Sequence, residues 1–265
     1  MKRLFWHGIF KVESMTAYEM IIQKELASWK RKMLKEPGFF NDISKKIQNK
    51  INDHIPEKVH TAITATMKQM IKAVLFGSKI TTGQPSFYTS MEERELAVRE
   101  KIKNYRNTAV VEGGITGAGG ILLGLADFPI LLTIKIKLLF EIAALYGFDV
   151  KDYRERVFIL YIFQLAFSSD AYRRKVFLEM QHWDEKAKQL PGDINEFNWR
   201  HLQQEYRDYI DLAKMAQLIP VIGAPVGAIA NYQLVKKLGT TAMNAYRMRW
   251  FETQTRVAQK SSFAL

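Results

Sequence analysis

Cysteine is absent from all 265 residues. Its absence excludes disulfides, thiolate zinc sites, iron–sulfur clusters and cysteine nucleophiles, and it suits a reducing compartment. Proline is scarce, at seven residues, and no stretch alternates apolar and polar side chains with the period of two that a half-buried strand requires. The chain therefore reads as all-α. Uninterrupted apolar runs of spanning length are missing too. The two most apolar stretches are broken by Asp127 and Pro129 in one and by Pro220, Pro225 and Asn231 in the other. Catalytic signatures are equally scarce, with neither a Gly-x-Ser-x-Gly elbow nor a His-Glu-x-x-His zinc motif. The run "GGITGAGG" lacks the Lys-Ser/Thr ending of a phosphate-binding loop and follows a helical pattern instead of a strand, which disfavours a dinucleotide site.

What the chain does contain is basic charge. Its formal net charge is +12, and residues 1–80 hold fifteen Lys and Arg against seven Asp and Glu. Such a concentration favours anionic partners, either nucleic acid or an anionic membrane face, and it also serves solubility. Nucleic acid is disfavoured, because the basic residues come without helix-turn-helix spacing or an aromatic stacking platform. The start, "MKRLFWHGIFKVESM", is basic, but its apolar part runs only from Leu4 to Phe10 with His7 inside, and no small-x-small cleavage site follows. A signal peptide is not expected. Met15 could serve as the biological start, which would make residues 1–14 an upstream extension.

Helical periodicity organises the rest. Tyr18 to Leu34 has helical spacing and ends at the Pro-Gly break in "EPGFF". Ile43, Ile47 and Ile51 then recur four apart beside Lys45, Lys46 and Lys50, which are candidate contacts to an anionic surface, although core-facing helices share the pattern. Pro56 opens a helix whose buried stripe is Val59, Ile63, Met67, Met70, Ile71, Val74 and Leu75. "SKITTGQPSFYTS", Ser78 to Ser90, is the best linker, so the expected division is a basic helical region over 1–84 and a helical core over 85–265. A charged amphipathic helix follows from Met91. Gly147 punctuates the helix expected from Phe128, and Val157 to Ser169 reads as a core helix buried on every side. A helix is expected over Trp199 to Leu218. The last helical stretch is expected to break at Pro220 and Pro225 and loosen at Gly239.

The two glycine-rich stretches carry the most information. In Gly113 to Ile134 and Met215 to Val235, small residues recur four apart, as Gly120 with Gly124 and Gly223 with Gly227, a spacing that lets helix backbones approach closely. They are read as two apolar helical hairpins within a multi-helix bundle. Asp127 is the only charge of the first stretch before Lys135. Its expected role is to cap a helix beginning at Phe128, with Pro129 in the first turn; the functional reading is a proton-carrying or ion-binding acid. Lys135 and Lys137 cannot share a helix face, and either could pair with Glu141 or snorkel to a membrane surface. Two Glu-x-x-His patterns, Glu57 to His60 and Glu179 to His182, raise a di-iron carboxylate enzyme, which needs two further acids from other helices. Only Glu141 offers itself on the apolar helices. His201 and Glu205, one turn apart, read as a solvated face with Arg207 and Asp208.

"GGITGAGGILLGLADFPILLTIKIKLLFEIAALYGFD" followed by "IPVIGAPVGAIANYQLVKKLGTTAMNAYRMR" resembles the EcsC protein family, over most of the chain after residue 15. The positions that carry the pattern are Gly120, Gly124, Asp127, Pro129, Tyr146, Gly147, Gly223, Gly227 and Asn231. The resemblance implies a bacterial protein whose founding relative is encoded beside the ATPase and membrane subunits of an ABC transporter. It implies no catalytic residue and no cofactor. The expectation is thus a non-enzymatic accessory protein of a cytoplasmic-membrane ABC transporter, cytoplasmic and peripheral at the inner face. Transporter subunits and an anionic membrane surface are the candidate partners. The alternatives are a soluble helical adaptor without membrane contact and, third, the di-iron enzyme.

Overall fold

Thr16 starts the first helix by a reciprocal exchange. Its hydroxyl accepts from the Glu19 amide at 3.2 Å while the Glu19 carboxylate accepts from the Thr16 amide at 2.8 Å, so two amides that no helical carbonyl can reach are satisfied together. This helix, α1 (Ala17–Leu34), is the first of nine among the described residues of the computed structural model, which are 15–36, 57–76, 84–116, 120–211, 215 and 224–263. The others are α2 (Glu57–Phe76), α3 (Met91–Thr116), α4 (Gly120–Leu145), α5 (Tyr153–Phe167), α6 (Asp170–Met180), the single turn α7 (Trp183–Lys186), α8 (Trp199–Tyr209) and α9 (Ala224–Phe263). The protein is an all-α bundle; the only extended pairing among the described residues is an isolated bridge between Ser168 and Ile210.

Burial follows the helical period where a helix lies on the outside. On α2 all seven expected stripe residues, from Val59 to Leu75, are buried. On α1 the inward face is Ile22, Leu26 and Met33, with Trp29 set edge-on to Phe177 of α6 at 5.5 Å between centroids. The inner helices lose this one-sidedness. Apolar side chains are buried around the whole of α5, and on α9 every residue from 241 to 249 is buried, because α1, α3, α4 and α5 all pack against it.

Three cross-links set the direction of the inner helices. Arg106 of α3 lies 4.0 Å from the Tyr232 ring of α9, and Arg247 of α9 binds Glu95 of α3, so these two helices are antiparallel. Lys135 of α4 meets Asn231 of α9, and Tyr146 just after α4 stacks on Tyr246 of α9 at 5.2 Å, so α4 and α9 run parallel. Gly147 ends α4 with a φ of +89°, and the amides of Gly147 and Phe148 return to the carbonyls of Ala144 and Ala143. Arg94 completes that terminus by donating to the Tyr146 carbonyl at 3.0 Å.

Several expectations need correction. The helix expected to begin at Phe128 begins at Gly120, so Asp127 lies inside α4 and caps nothing, and Pro129 is an interior proline. α9 is continuous from Ala224, with Pro225 tolerated in its first turn, and Gly239 is a point of close approach to α3 where slack was expected. α8 stops at Tyr209, short of Leu218, because Ile210 turns extended and the Asp211 amide donates to the Phe167 carbonyl at 3.0 Å. Lys45, Lys46, Lys50, the neighbouring isoleucines, Gly223 and Pro220 lie outside the described residues.

Candidate functional site

The carboxyl end of α3, the first half of α4 and the beginning of α9 converge at one end of the bundle, and both glycine-rich stretches lead there. Gly120, Gly124, Asp127 and Pro129 lie on α4; Gly227 and Asn231 lie on α9. Just after the first stretch, α4 is joined to the second by a polar contact. Buried Lys135 donates to the buried Asn231 Oδ1 at 2.7 Å and to its own helix at the Leu131 carbonyl at 3.3 Å. Lys135 therefore neither snorkels nor pairs with Glu141. Glu141 is engaged on α3, where it accepts from the Tyr105 hydroxyl at 2.8 Å and pairs with Lys101 at 3.0 Å. Thr133 bonds back to the Pro129 carbonyl at 2.8 Å, the ordinary return of a helical threonine to the residue four before it.

Two large apolar side chains are exposed on the described part of this end. Ile130 of α4 is 60% exposed and Ile229 of α9 is 64% exposed, with Pro129 exposed and Asp127 partly exposed beside them. Exposed isoleucines at the meeting point of two apolar runs leave a surface that water solvates poorly.

A second arrangement lies deeper and escaped the sequence reading. Arg247 of α9 grips Glu95 of α3 with two nitrogens, Nε to Oε1 at 2.5 Å and Nη2 to Oε2 at 2.6 Å. Its Nη1 reaches Glu25 of α1 at 2.9 Å. The hydroxyls of Tyr18 and Tyr146 also donate to Glu95, at 2.6 and 3.1 Å. Burial alone would push the Glu95 carboxyl up, but Arg247 and the two tyrosines hold it below the usual carboxylate value. Tyr146 stacks on Tyr246, whose hydroxyl donates to Glu155 of α5 at 2.7 Å. Glu155 in turn accepts from Arg249 at 2.7 Å, and Arg249 also binds Asp184 of α7 and covers the Phe148 ring at 3.8 Å. Here burial wins: the Glu155 carboxyl is raised, and Arg249 and Tyr246 pull it back only in part. These side chains join α1, α3, α4, α5, α7 and α9 in one polar chain through the core. Its chemistry is structural, since every member is held by another protein group.

The two Glu-x-x-His patterns of the di-iron alternative are not brought together among the described side chains, which do not include that of His60. Glu57 is exposed at the start of α2, Glu179 is tied to Lys186, and His182 adopts a left-handed backbone with φ 53° beside Glu252 at 3.9 Å. No group of three or more His, Asp or Glu side chains among the described residues could hold a metal ion. Glu205 corrects the reading of a solvated face. It is buried while its neighbour His201 is exposed, and burial raises its carboxyl. No described helix is long and apolar enough to cross a membrane.

Comparison with known proteins bears on the whole arrangement. Residues 21–251 match the model of a family described as the EcsC protein family. The chain is 44% identical to "Protein EcsC" of Bacillus subtilis (strain 168) over 236 residues, covering 89% of this chain and 97% of that protein. It is 32% identical to "Uncharacterized protein YdbA" of the same organism over 216 residues, 78% of each chain. No solved structure matches.

Proposed function

The chain belongs to the EcsC protein family, and on that premise we propose that it is a non-enzymatic accessory protein of an ABC transporter, bound peripherally at the cytoplasmic face of the membrane. One observation carries the membrane reading. Two glycine-rich arms whose one charged residue is Asp127 lead to a single end of the bundle, on which Ile130 and Ile229 are exposed. A tip of this kind favours a surface that is itself apolar. Net charge of +12 supports attraction to anionic headgroups, at about 1 kcal/mol per Lys or Arg near the surface. The transporter partnership is what the family resemblance implies.

Fractionation of the protein at its native level tests this reading, with successive washes in high salt, carbonate and detergent. Release by salt or carbonate, with transporter subunits recovered alongside the protein, is the expected result. A protein wholly in the soluble fraction would overturn the proposal in favour of a soluble helical adaptor. Release by detergent alone would also overturn it, because attachment would then run through the bilayer core.

A further inference from the structure

Helix α8 lies along α5 as a strap fixed at both ends. Ahead of it, the Pro191 carbonyl accepts from the Tyr153 hydroxyl and from Arg154 at 3.4 Å, at the start of α5. Behind it, the Ser168 to Ile210 bridge holds the chain to the end of α5, together with bonds from the Ser169 amide to the Tyr209 carbonyl and from the Asp211 amide to the Phe167 carbonyl, both at 3.0 Å. Between these pins the 11 residues of α8 run parallel to α5 and cover polar groups. The Tyr206 hydroxyl donates to the Leu160 carbonyl, and the Tyr161 hydroxyl faces Glu205. Tyr161, Gln164 and Ser168 are spaced three and four apart, so Gln164 stands on the face of α5 that meets Glu205 and Ile210. Gln164 is 0% exposed, and neither atom of its amide has a hydrogen-bond partner among the described residues. Closing α8 over such a group costs its desolvation without return.

Glu205 is the second group that closure keeps dry. On α8 it faces His201, 3.7 Å away and largely exposed. From the other helices it faces Tyr161 of α5, Lys175 and Glu179 of α6 and Lys186 of α7. Lys186 is bound to Glu179, and Lys175 to the Tyr209 hydroxyl at 2.5 Å. α2, which also packs on α8, brings Lys72 to the Trp199 ring at 4.9 Å, six residues from Glu205. These cations do not offset burial, which raises the Glu205 carboxyl with Glu179 adding to the effect.

We propose that α8 is a pH-sensitive strap, which opens as a unit between its two pins ahead of any wider unfolding, admits water to Gln164 and Glu205, and is driven open by ionisation of Glu205. Closed, the strap leaves the Gln164 amide unpaired and holds Glu205 as the neutral acid; open, both are hydrated. Leu202, Tyr206 and Tyr209 are the apolar side chains that seat it, a small contact beside the all-round burial of α5. Because the closed form holds the Glu205 proton more tightly than water does, the open fraction grows as pH rises from 4.5 through the higher closed-state value. The growth is at most about ten-fold per pH unit and levels off above that window. The sequence that follows Asp211 is the second glycine-rich stretch, so this response stands directly before it in the chain.

Hydrogen–deuterium exchange of the unmodified full chain, read by peptide mass spectrometry between pH 5 and pH 8, tests the proposal. After correction for intrinsic rates, peptides of α8 should open at least about 100-fold more often than those of α5, with little dependence on urea. Their opening should rise with pH. Glu205→Gln should remove that rise, whereas His201→Gln should keep it. Gln164→Met keeps a side chain of similar length without the unpaired amide, and it should lower the opening of α8 about ten-fold. Matching thermal melts and unchanged exchange in α3 and α9 confirm that the variants are folded. Exchange of α8 only together with α5, at the same steep urea dependence, would show that the strap does not open alone. A pH rise that survives Glu205→Gln would show that Glu205 does not drive it. Either result overturns the proposal, and so does opening that is unchanged or faster in Gln164→Met, which would give the amide no part in opening or make it an anchor of the closed form.

Discussion

Arg247 and Arg249 stand two residues apart on α9, which turns their side chains about 200° from one another and sends them into opposite sides of the same core. Their carboxylate partners respond in opposite senses. Glu95 is held below its ordinary value, so its charge stabilises the fold above the unfolded-state value of 4.5, and that contribution is lost as pH falls through the lower folded value. Glu155 is raised, so ionising it costs stability as pH climbs from 4.5 through the higher folded value. Glu95→Gln should therefore destabilise on the order of 3 kcal/mol at pH 7, because it leaves a buried guanidinium without its bidentate partner. Glu155→Gln mimics the protonated form that burial favours and should cost roughly 1 kcal/mol. Urea unfolding between pH 3 and pH 8 checks both the order and the signs: the first variant flattens the acid limb, and the second steepens it. None of this chain was legible in the sequence. Charged residues two apart on a helix read as surface, and Glu95 lies 152 positions from Arg247. The one available signal was the setting, "TTAMNAYRMRWF", where small and apolar residues leave little of a solvated face.

At the scale of the element, the contact between α3 and α9 turns on a glycine. A Cβ at Gly239 would stand 2.7 Å from both Cγ1 and Cδ1 of Ile102 and 3.0 Å from its Cγ2. Ile102 is buried and β-branched, so its χ1 has little freedom inside a helix and the clash cannot be relieved by swinging one terminal methyl aside. Gly239→Ala gains about 1 kcal/mol in helix propensity but overpacks the contact by about 1–3 kcal/mol. A net loss is expected, and Ile102→Ala in the same chain should recover part of it. Equilibrium unfolding of the two single variants and the double variant reads the coupling, and strict additivity would show that the helices do not touch there. Whether glycine loosens a helix or admits a neighbour depends on what lies opposite, which periodicity does not contain. Where periodicity is sufficient it succeeded: the α2 stripe, the all-round burial of α5 and the Gly147 terminus each depend on local pattern. The Asp127 cap failed because the local signal, an acid before proline, was overridden by α4 continuing seven residues further back to Gly120.

Over the whole molecule, the first eighty-odd residues carry much of the excess positive charge, yet their apolar stripes are buried in the same core as those of the later helices. Ile22 and Leu26 of α1 and Val59 through Leu75 of α2 belong to it together with α5 and α9. Polar contacts tie α1 to the same partners, through Tyr18 to Glu95, Glu25 to Arg247 and the Lys35 carbonyl to Arg173. Separate unfolding of the amino-terminal helices would strand the Glu95 and Arg247 pair with fewer donors and acceptors and would open Phe177, against which Trp29 rests. One cooperative transition is therefore expected, with far-UV circular dichroism and tryptophan fluorescence coinciding. Leu26→Ala, which empties a buried site on α1, should cost about 2–5 kcal/mol and so lower the midpoint of that single transition at constant m-value. An early, separate transition in the variant, with the later one unmoved, would mean that α1 is an appendage. The contacts among α3, α4 and α9 would then hold without α1.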